Sequence, residues 1–187
     1  MTCVVMVQDP VTAEIYGAAD KRISTGDEIQ NSKSPKLWKT NTPWGAALIG
    51  VAGDLAVINR VRHAELFDEE LFGAAYDHRE LHKYMETTFG KKVAECLVDL
   101  ESPEWQVAVA LYNNLYVVDS NLATLHANGA VIAIGSGSEV ALGAAQMALA
   151  YGRLDTSLIP VTAVEIAARH CASVGGEVVT ESTVEVK

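Results

Sequence analysis

MTCVVMVQDPVTAEIYGAAD, residues 1–20, decides how the rest of the chain is read. Thr2–Gln8 is an apolar, Val-rich run without a charged side chain. Such a run, too short for a helix, reads as a buried strand. Asp9-Pro10-Val11-Thr12 reads as a turn: proline presets φ and aspartate can bond its own backbone. Ala13–Ala19 then reads as a returning strand, so residues 2–19 form a hairpin at the start of the chain.

Working outward, residues 21–35 are polar, contain Gly26 and Pro35, and are expected to be loop. Lys36–Thr40 is a short strand-like piece, Asn41-Thr42-Pro43 a turn, and Trp44–Ala52 an apolar strand ending at Gly53-Asp54. Leu55–Leu71 and Glu80–Leu100 carry apolar residues at helical spacing, the second interrupted by Gly90. Trp105–Leu111 and Leu115–Asp119 flank Asn113-Asn114 as a second hairpin. Ala130–Ile134 is a strand that runs into Gly135-Ser136-Gly137-Ser138, with Ser138 a candidate N-cap of an Ala-rich helix over Glu139–Tyr151. Thr162–Ser173, with Pro160 just ahead of it, reads as another helix. Gly175-Gly176 breaks it, and Glu177–Val186 closes as a strand. Strands and helices come in blocks, not in strict alternation, which predicts an α+β fold with packed sheets and outer helices. No short repeat or low-complexity linker divides the chain, so one domain over 1–187 is expected.

Composition narrows the function classes. Of 187 residues, 49% are apolar and 20% charged, which suits a folded chain and not a disordered one. The formal net charge of −10 argues against nucleic acid and anionic membranes as partners. No run reaches the ~18 apolar residues of a spanning helix. The start of the chain lacks the basic and apolar regions of a secretory signal, so a cytoplasmic protein is expected. Three cysteines, Cys3, Cys96 and Cys171, are far apart and form no CxxC; free thiols are expected, with no metal and no disulfide. The GSGS segment has no following lysine and is no phosphate loop.

A single methionine precedes Thr2. Methionine aminopeptidase generally removes Met before a small side chain, and removal would free the α-amine of Thr2, whose reference pKa is about 8. A hydroxyl becomes a nucleophile when a base stands beside it, and an N-terminal threonine carries its own.

The segments TCVVMV (2–7), GAADKRIS (17–24), Lys36-Leu37, LIGVAGD (48–54) and AIGSGS (133–138), in this order and spacing, resemble the proteasome β-subunit family, and most closely its HslV-type peptidases. These are N-terminal-nucleophile hydrolases. The resemblance covers nearly the whole chain, and AIGSGS before an Ala-rich helix is its most specific part. It implies a four-layer αββα sandwich of two packed antiparallel sheets with helices on both outer faces.

Carried over residue by residue, the resemblance puts Thr2 on the nucleophile, Asp20 on the acid and Lys36, 36 − 20 = 16 positions later, on the active-site lysine. Lys33 and Lys39 are rivals, and spacing with the following Leu37 favours Lys36. A buried ammonium lowers the cost of forming an alkoxide, and Asp20 keeps it charged and oriented. Gly50 falls on the glycine whose N–H helps form the oxyanion hole. Ser136 falls on the serine near the threonine amine, and Ser173 fits a second serine, although His170 stands where many subunits carry an aspartate. Ser24 falls where substrate backbone pairs as an added strand. Ile23, Leu48 and Ala52 fall near the S1 pocket and would make it apolar, favouring cleavage after apolar residues.

The resemblance therefore implies a threonine endopeptidase acting on peptide or unfolded protein, without a cofactor, once Met1 is removed. It implies a homo-oligomeric ring, double ring or related spiral, to which an ATPase unfoldase could deliver substrate. Two alternatives remain open at this level: a catalytically silent assembly subunit that retains Met1, and a small-amide amidase of the wider N-terminal-nucleophile superfamily.

Overall fold

The computed structural model describes residues 2–25, 28–31, 33–42, 45–67, 78–101, 103–127, 129–152 and 154–184; for 24–25 and 28–31 only the backbone is described. The N-terminal hairpin forms as the opening stretch predicts. β1 (Val4–Gln8) pairs antiparallel with β2 (Ile15–Asp20), and Asp9 Oδ1 accepts from the N–H groups of Val11 at 2.8 Å and Thr12 at 2.9 Å to set the turn. β1 also pairs with β10 (Val131–Ile134), and β2 with β11 (Val178–Ser182), giving a four-stranded sheet of order β10-β1-β2-β11. A second sheet of order β5-β6-β7-β8-β9 contains β5 (Leu37–Thr42), β6 (Gly45–Ala52), β7 (Gln106–Leu111), β8 (Asn114–Asp119) and β9 (Thr124–His126).

The two sheets lie face to face, and alternation along each strand explains why. In β1, Val4 and Met6 point into the inter-sheet core with Leu37, Leu48, Ala108, Ala110 and Ile134. Cys3, Val5 and Val7 point the other way, against α4 (Ser138–Tyr151) and α5 (Ile159–His170). The unbroken apolar run of residues 3–7 is therefore a strand buried on both faces. In the second sheet, Ile49, Val51, Val107 and Val109 face α1 (Leu55–His63), α2 (His78–Tyr84) and α3 (Gly90–Cys96). The layers run helix, sheet, sheet, helix, as the resemblance implied.

Several local expectations are corrected. Residues 21–35 are not all loop: β3 (Arg22–Thr25) pairs with β4 (Glu28–Asn31) as a hairpin. The first helix ends at His63, where Ala64 turns extended at φ −81° and ψ 145°. The second helical region starts at His78 and passes through a π turn at Met85–Phe89 into α3. Gly90 does not break it; a Cβ there would lie 3.1 Å from Val118 Cγ1, so glycine lets the helix press onto β8. The second hairpin turns at Tyr112-Asn113, not Asn113-Asn114, because Leu111 pairs with Asn114 and both turn residues hold φ above 50°. Ser138 is the first residue of α4 and Gly137 its cap, without a side-chain bond. Pro160 lies inside the first turn of α5, where a missing N–H costs nothing, and that helix ends at His170. Strand β9 is three residues long, too short to carry a sequence signal of its own. Met1, Gly26 and Pro43 lie outside the described residues.

Candidate active site

Thr2 sits just before β1, where the strand order brings the end of β10, the end of β2 and the loop after α5 together. It is 1% exposed. Its carbonyl is gripped by the turn after β10: Gly137 N–H donates to Thr2 O at 3.3 Å, and Ser136 Oγ stands 3.4 Å from the same oxygen. That turn needs Gly135, which holds φ +89° and whose Cβ would fall 2.2 Å from Thr2 O. Gln106 of β7 supports it by accepting from Gly135 N–H at 3.0 Å. Thr2 N–H donates to Ser136 Oγ at 3.4 Å, and Ser136 Oγ lies 2.9 Å from Ser173 Oγ. The hydroxyl oxygen of Thr2 is buried and has no hydrogen-bond partner among the described residues.

Asp20 and Lys36 form a buried ion pair at 3.0 Å, with side chains 0% and 1% exposed. Asp20 ends β2 and Lys36 immediately precedes β5, so the pair bridges the two sheets. Asp20 Oδ1 also accepts from Cys3 N–H at 2.8 Å, and its Oδ2 from Gly175 N–H at 3.3 Å. Lys36 Nζ donates to Arg22 O at 2.6 Å. The ammonium is thus fixed by a carboxylate that also holds the backbone one residue beyond Thr2. Burial pulls the Lys36 ammonium below the ordinary lysine range, opposed by the Asp20 carboxylate. The rivals fall elsewhere: Lys39 Nζ donates to Val184 O at 2.9 Å, and Lys33 is exposed.

Two expected residues are not brought to Thr2. Gly50 lies mid-strand in β6, paired with Leu37 on one side and Ala108 on the other, so its N–H is directed at a neighbouring strand and not into a cleft. A Cβ on Gly50 would meet Val4 Cγ1 at 2.6 Å. Gly50 is small so that the sheets can close; of the two glycines, it is Gly53, just past the end of the same strand, that lines the cleft with Thr2. Leu48 is fully buried in the inter-sheet core and offers no surface to a ligand. Ala52 does line the cleft. Ile23 is half-buried on β3 opposite Gln30, and Ser24 pairs with Ile29 on the same strand. His170 is exposed at the end of α5.

The placement of Gly50 predicts that Gly50→Ala overpacks the inter-sheet core and costs about 1–3 kcal/mol. Urea denaturation measures it. Unchanged stability with lost activity would return an oxyanion role to this glycine.

Cys3 is fully buried behind the site. Burial first, then the Asp20 carboxylate, pushes its thiol from 9.0 up to about 12. The folded chain keeps this proton above pH 9 while the unfolded chain loses it. The thiol's contribution to stability is therefore complete below pH 9 and lost as pH rises towards 12. The slope is at most about 1.4 kcal/mol per pH unit. Cys3→Ala is expected to remove that alkaline loss in urea titrations between those pH values. Lys36, with its lowered pKa, contributes the opposite sign and is common to both proteins.

A cleft of about 990 Å³ opens in front of Thr2, lined also by Gly53, Trp105, Gln106, Gly135 and Ser136. Among the described residues no group of three or more His, Cys, Asp or Glu side chains is arranged to hold a metal ion, and no helix is long and apolar enough to cross a membrane.

No family model matches the sequence, and neither does any curated protein. Solved structures do match in fold. HslV from Trypanosoma brucei superposes with a TM-score of 0.72 at 20% identity, over 97% of this chain and 98% of that one. BPH from Thiobacillus denitrificans, solved in complex with epoxomicin, gives 0.73 at 18% identity over 97% of each chain. The helical assembly of the Anbu complex from Pseudomonas aeruginosa gives 0.64 at 15%, over 97% of this chain and 80% of that one. The chain has the fold of these proteins.

Proposed function

We propose that the chain is a threonine peptidase of the N-terminal-nucleophile type, active after Met1 is removed. The observation that carries this reading is the convergence on Thr2: a buried hydroxyl without a partner among the described residues, a nitrogen beside Ser136, and a buried Lys36–Asp20 pair tied to the next backbone N–H. With Met1 gone, the Thr2 nitrogen becomes an amine and takes the hydroxyl proton, through water. Thr2 Oγ1 attacks the peptide carbonyl; the C–N bond then breaks as the α-ammonium returns its proton to the leaving amine, and water hydrolyses the resulting acyl ester to release the carboxylic acid and restore the Thr2 hydroxyl. Gly53 N–H, in place of Gly50, stabilises the oxyanion, since Gly53 shares the cleft with Thr2. Lys36 favours the alkoxide, Asp20 orients Lys36, and the Ser136–Ser173 pair orients the amine. Ser24, on the backbone edge after Asp20, pairs with substrate.

The fold shared with an assembled Anbu complex supports a homo-oligomer of this chain as the working form. N-terminal mass spectrometry joined to a fluorogenic-peptide and casein assay tests the proposal. A processed N-terminus with hydrolysis of both substrates is expected. Retained Met1 without activity in the assembled protein would make the chain a silent assembly subunit, and cleavage of small amides alone would make it an amidase.

A further inference from the structure

The cleft in front of Thr2 carries one sign of charge. Asp54, Glu101, Glu104 and Asp119 line it, and among the described residues no Lys or Arg does. Asp119 is engaged in its own turn, its Oδ1 accepting from Asn121 N–H at 2.9 Å and Ala123 N–H at 3.1 Å. Asp54, Glu101 and Glu104 are exposed, and none takes part in the ion pairs found among the described residues. They stand close to the reactive end: Asp54 follows Gly53, and Glu104 O lies 3.2 Å from where a Gly53 Cβ would be. Thr2, 1% exposed, lines the same cleft, and its hydroxyl has no partner among the described residues. A buried hydroxyl left unpaired there is completed by a polar group brought in from the cleft.

A concave surface with carboxylates of one sign focuses a negative potential and concentrates cations. We propose that this cleft selects cationic peptide segments, those carrying Lys or Arg beside the bond presented to Thr2. The inference deepens the peptidase reading and rests on it for the identity of the ligand. It departs from the apolar preference implied by Ile23, Leu48 and Ala52, of which only Ala52 lines this cleft. Asp54, Glu101 and Glu104 are the specificity-determining side chains.

The test separates binding from chemistry. Assembled Thr2→Ala protein is titrated with two labelled peptides, identical except that Lys or Glu flanks the centre, and anisotropy is read at low and high salt. The Lys peptide is expected to bind about tenfold tighter at low salt, with the ratio falling below about twofold near 1 M salt, where the screening length is about 3 Å. In Glu101→Gln/Glu104→Gln on the same background, the low-salt ratio is expected to fall several-fold; circular dichroism verifies the fold. Equal binding, tighter binding of the Glu peptide, no binding of either, or a ratio untouched by the double substitution would each overturn the inference. Hydrolysis is read separately on processed protein with Thr2 intact. Charge-selective binding without hydrolysis sinks the peptidase reading and keeps the cleft's selectivity; hydrolysis without charge selectivity does the reverse.

Discussion

Thr2→Ala, in protein with its N-terminal methionine removed, is expected to lower kcat/KM for peptide hydrolysis at least about a thousandfold. The size follows from what one residue would do. In the proposed mechanism its Oγ1 forms the covalent bond and its α-amine accepts the proton, so replacing the hydroxyl would remove the acyl-ester route altogether. Folding should survive, because that oxygen makes no hydrogen bond among the described residues. A companion protein that keeps Met1 should be as inactive as Thr2→Ala, since an amide nitrogen is no base at any working pH. Residual activity in Thr2→Ala above that of Met1-retaining protein would exclude Thr2 as the nucleophile.

The second large effect is expected at the ion pair. Lys36→Met should cost about 3–5 kcal/mol of stability and most of the peptidase activity. The lysine side chain is 1% exposed and its partner carboxylate 0% exposed. Removing the ammonium strands a charge that cannot reach water, with the N–H groups of Cys3 and Gly175 as its remaining donors among the described residues. Lys36→Met/Asp20→Asn should recover part of the stability, because an amide oxygen can still accept from Cys3 N–H and no charge is left buried. It should recover none of the activity. Urea unfolding of the two singles and the double supplies the coupling energy. A Lys36→Met protein as stable as the parent would mean that the pair does not persist in solution.

Much of the fold was legible because burial on two faces leaves a plain mark. The charge-free run after Thr2 reads as a buried strand, and its hairpin partner, the second hairpin and the Ala-rich helix carry ordinary signals. The hairpin at residues 22–31 was illegible for the opposite reason: its polar composition matches a loop, and its pairing registers only as backbone geometry. The site was legible in part. Asp20, Lys36, Ser136 and Ser173 do surround Thr2 or its neighbour, whereas Gly50 and Gly53 could not be told apart by spacing along one strand.

The sequence by itself determined the fold class: strands and helices arranged in blocks predict packed sheets with outer helices, and the apolar runs of the central strands show this without knowledge of partners. Only the tertiary structure decided which groups meet. Gly50 became core because Val4 and Met6 cross beneath it, and Gly53 became cleft because, although Val57 and Glu104 O flank it, it stands on the open side beside Thr2. Asp54, Glu101 and Glu104 became one acidic wall because the ends of β6 and β7 lie side by side, a consequence of strand pairing between segments some fifty positions apart. Pairing is set by packing free energy summed over the whole chain, and no local pattern carries that sum.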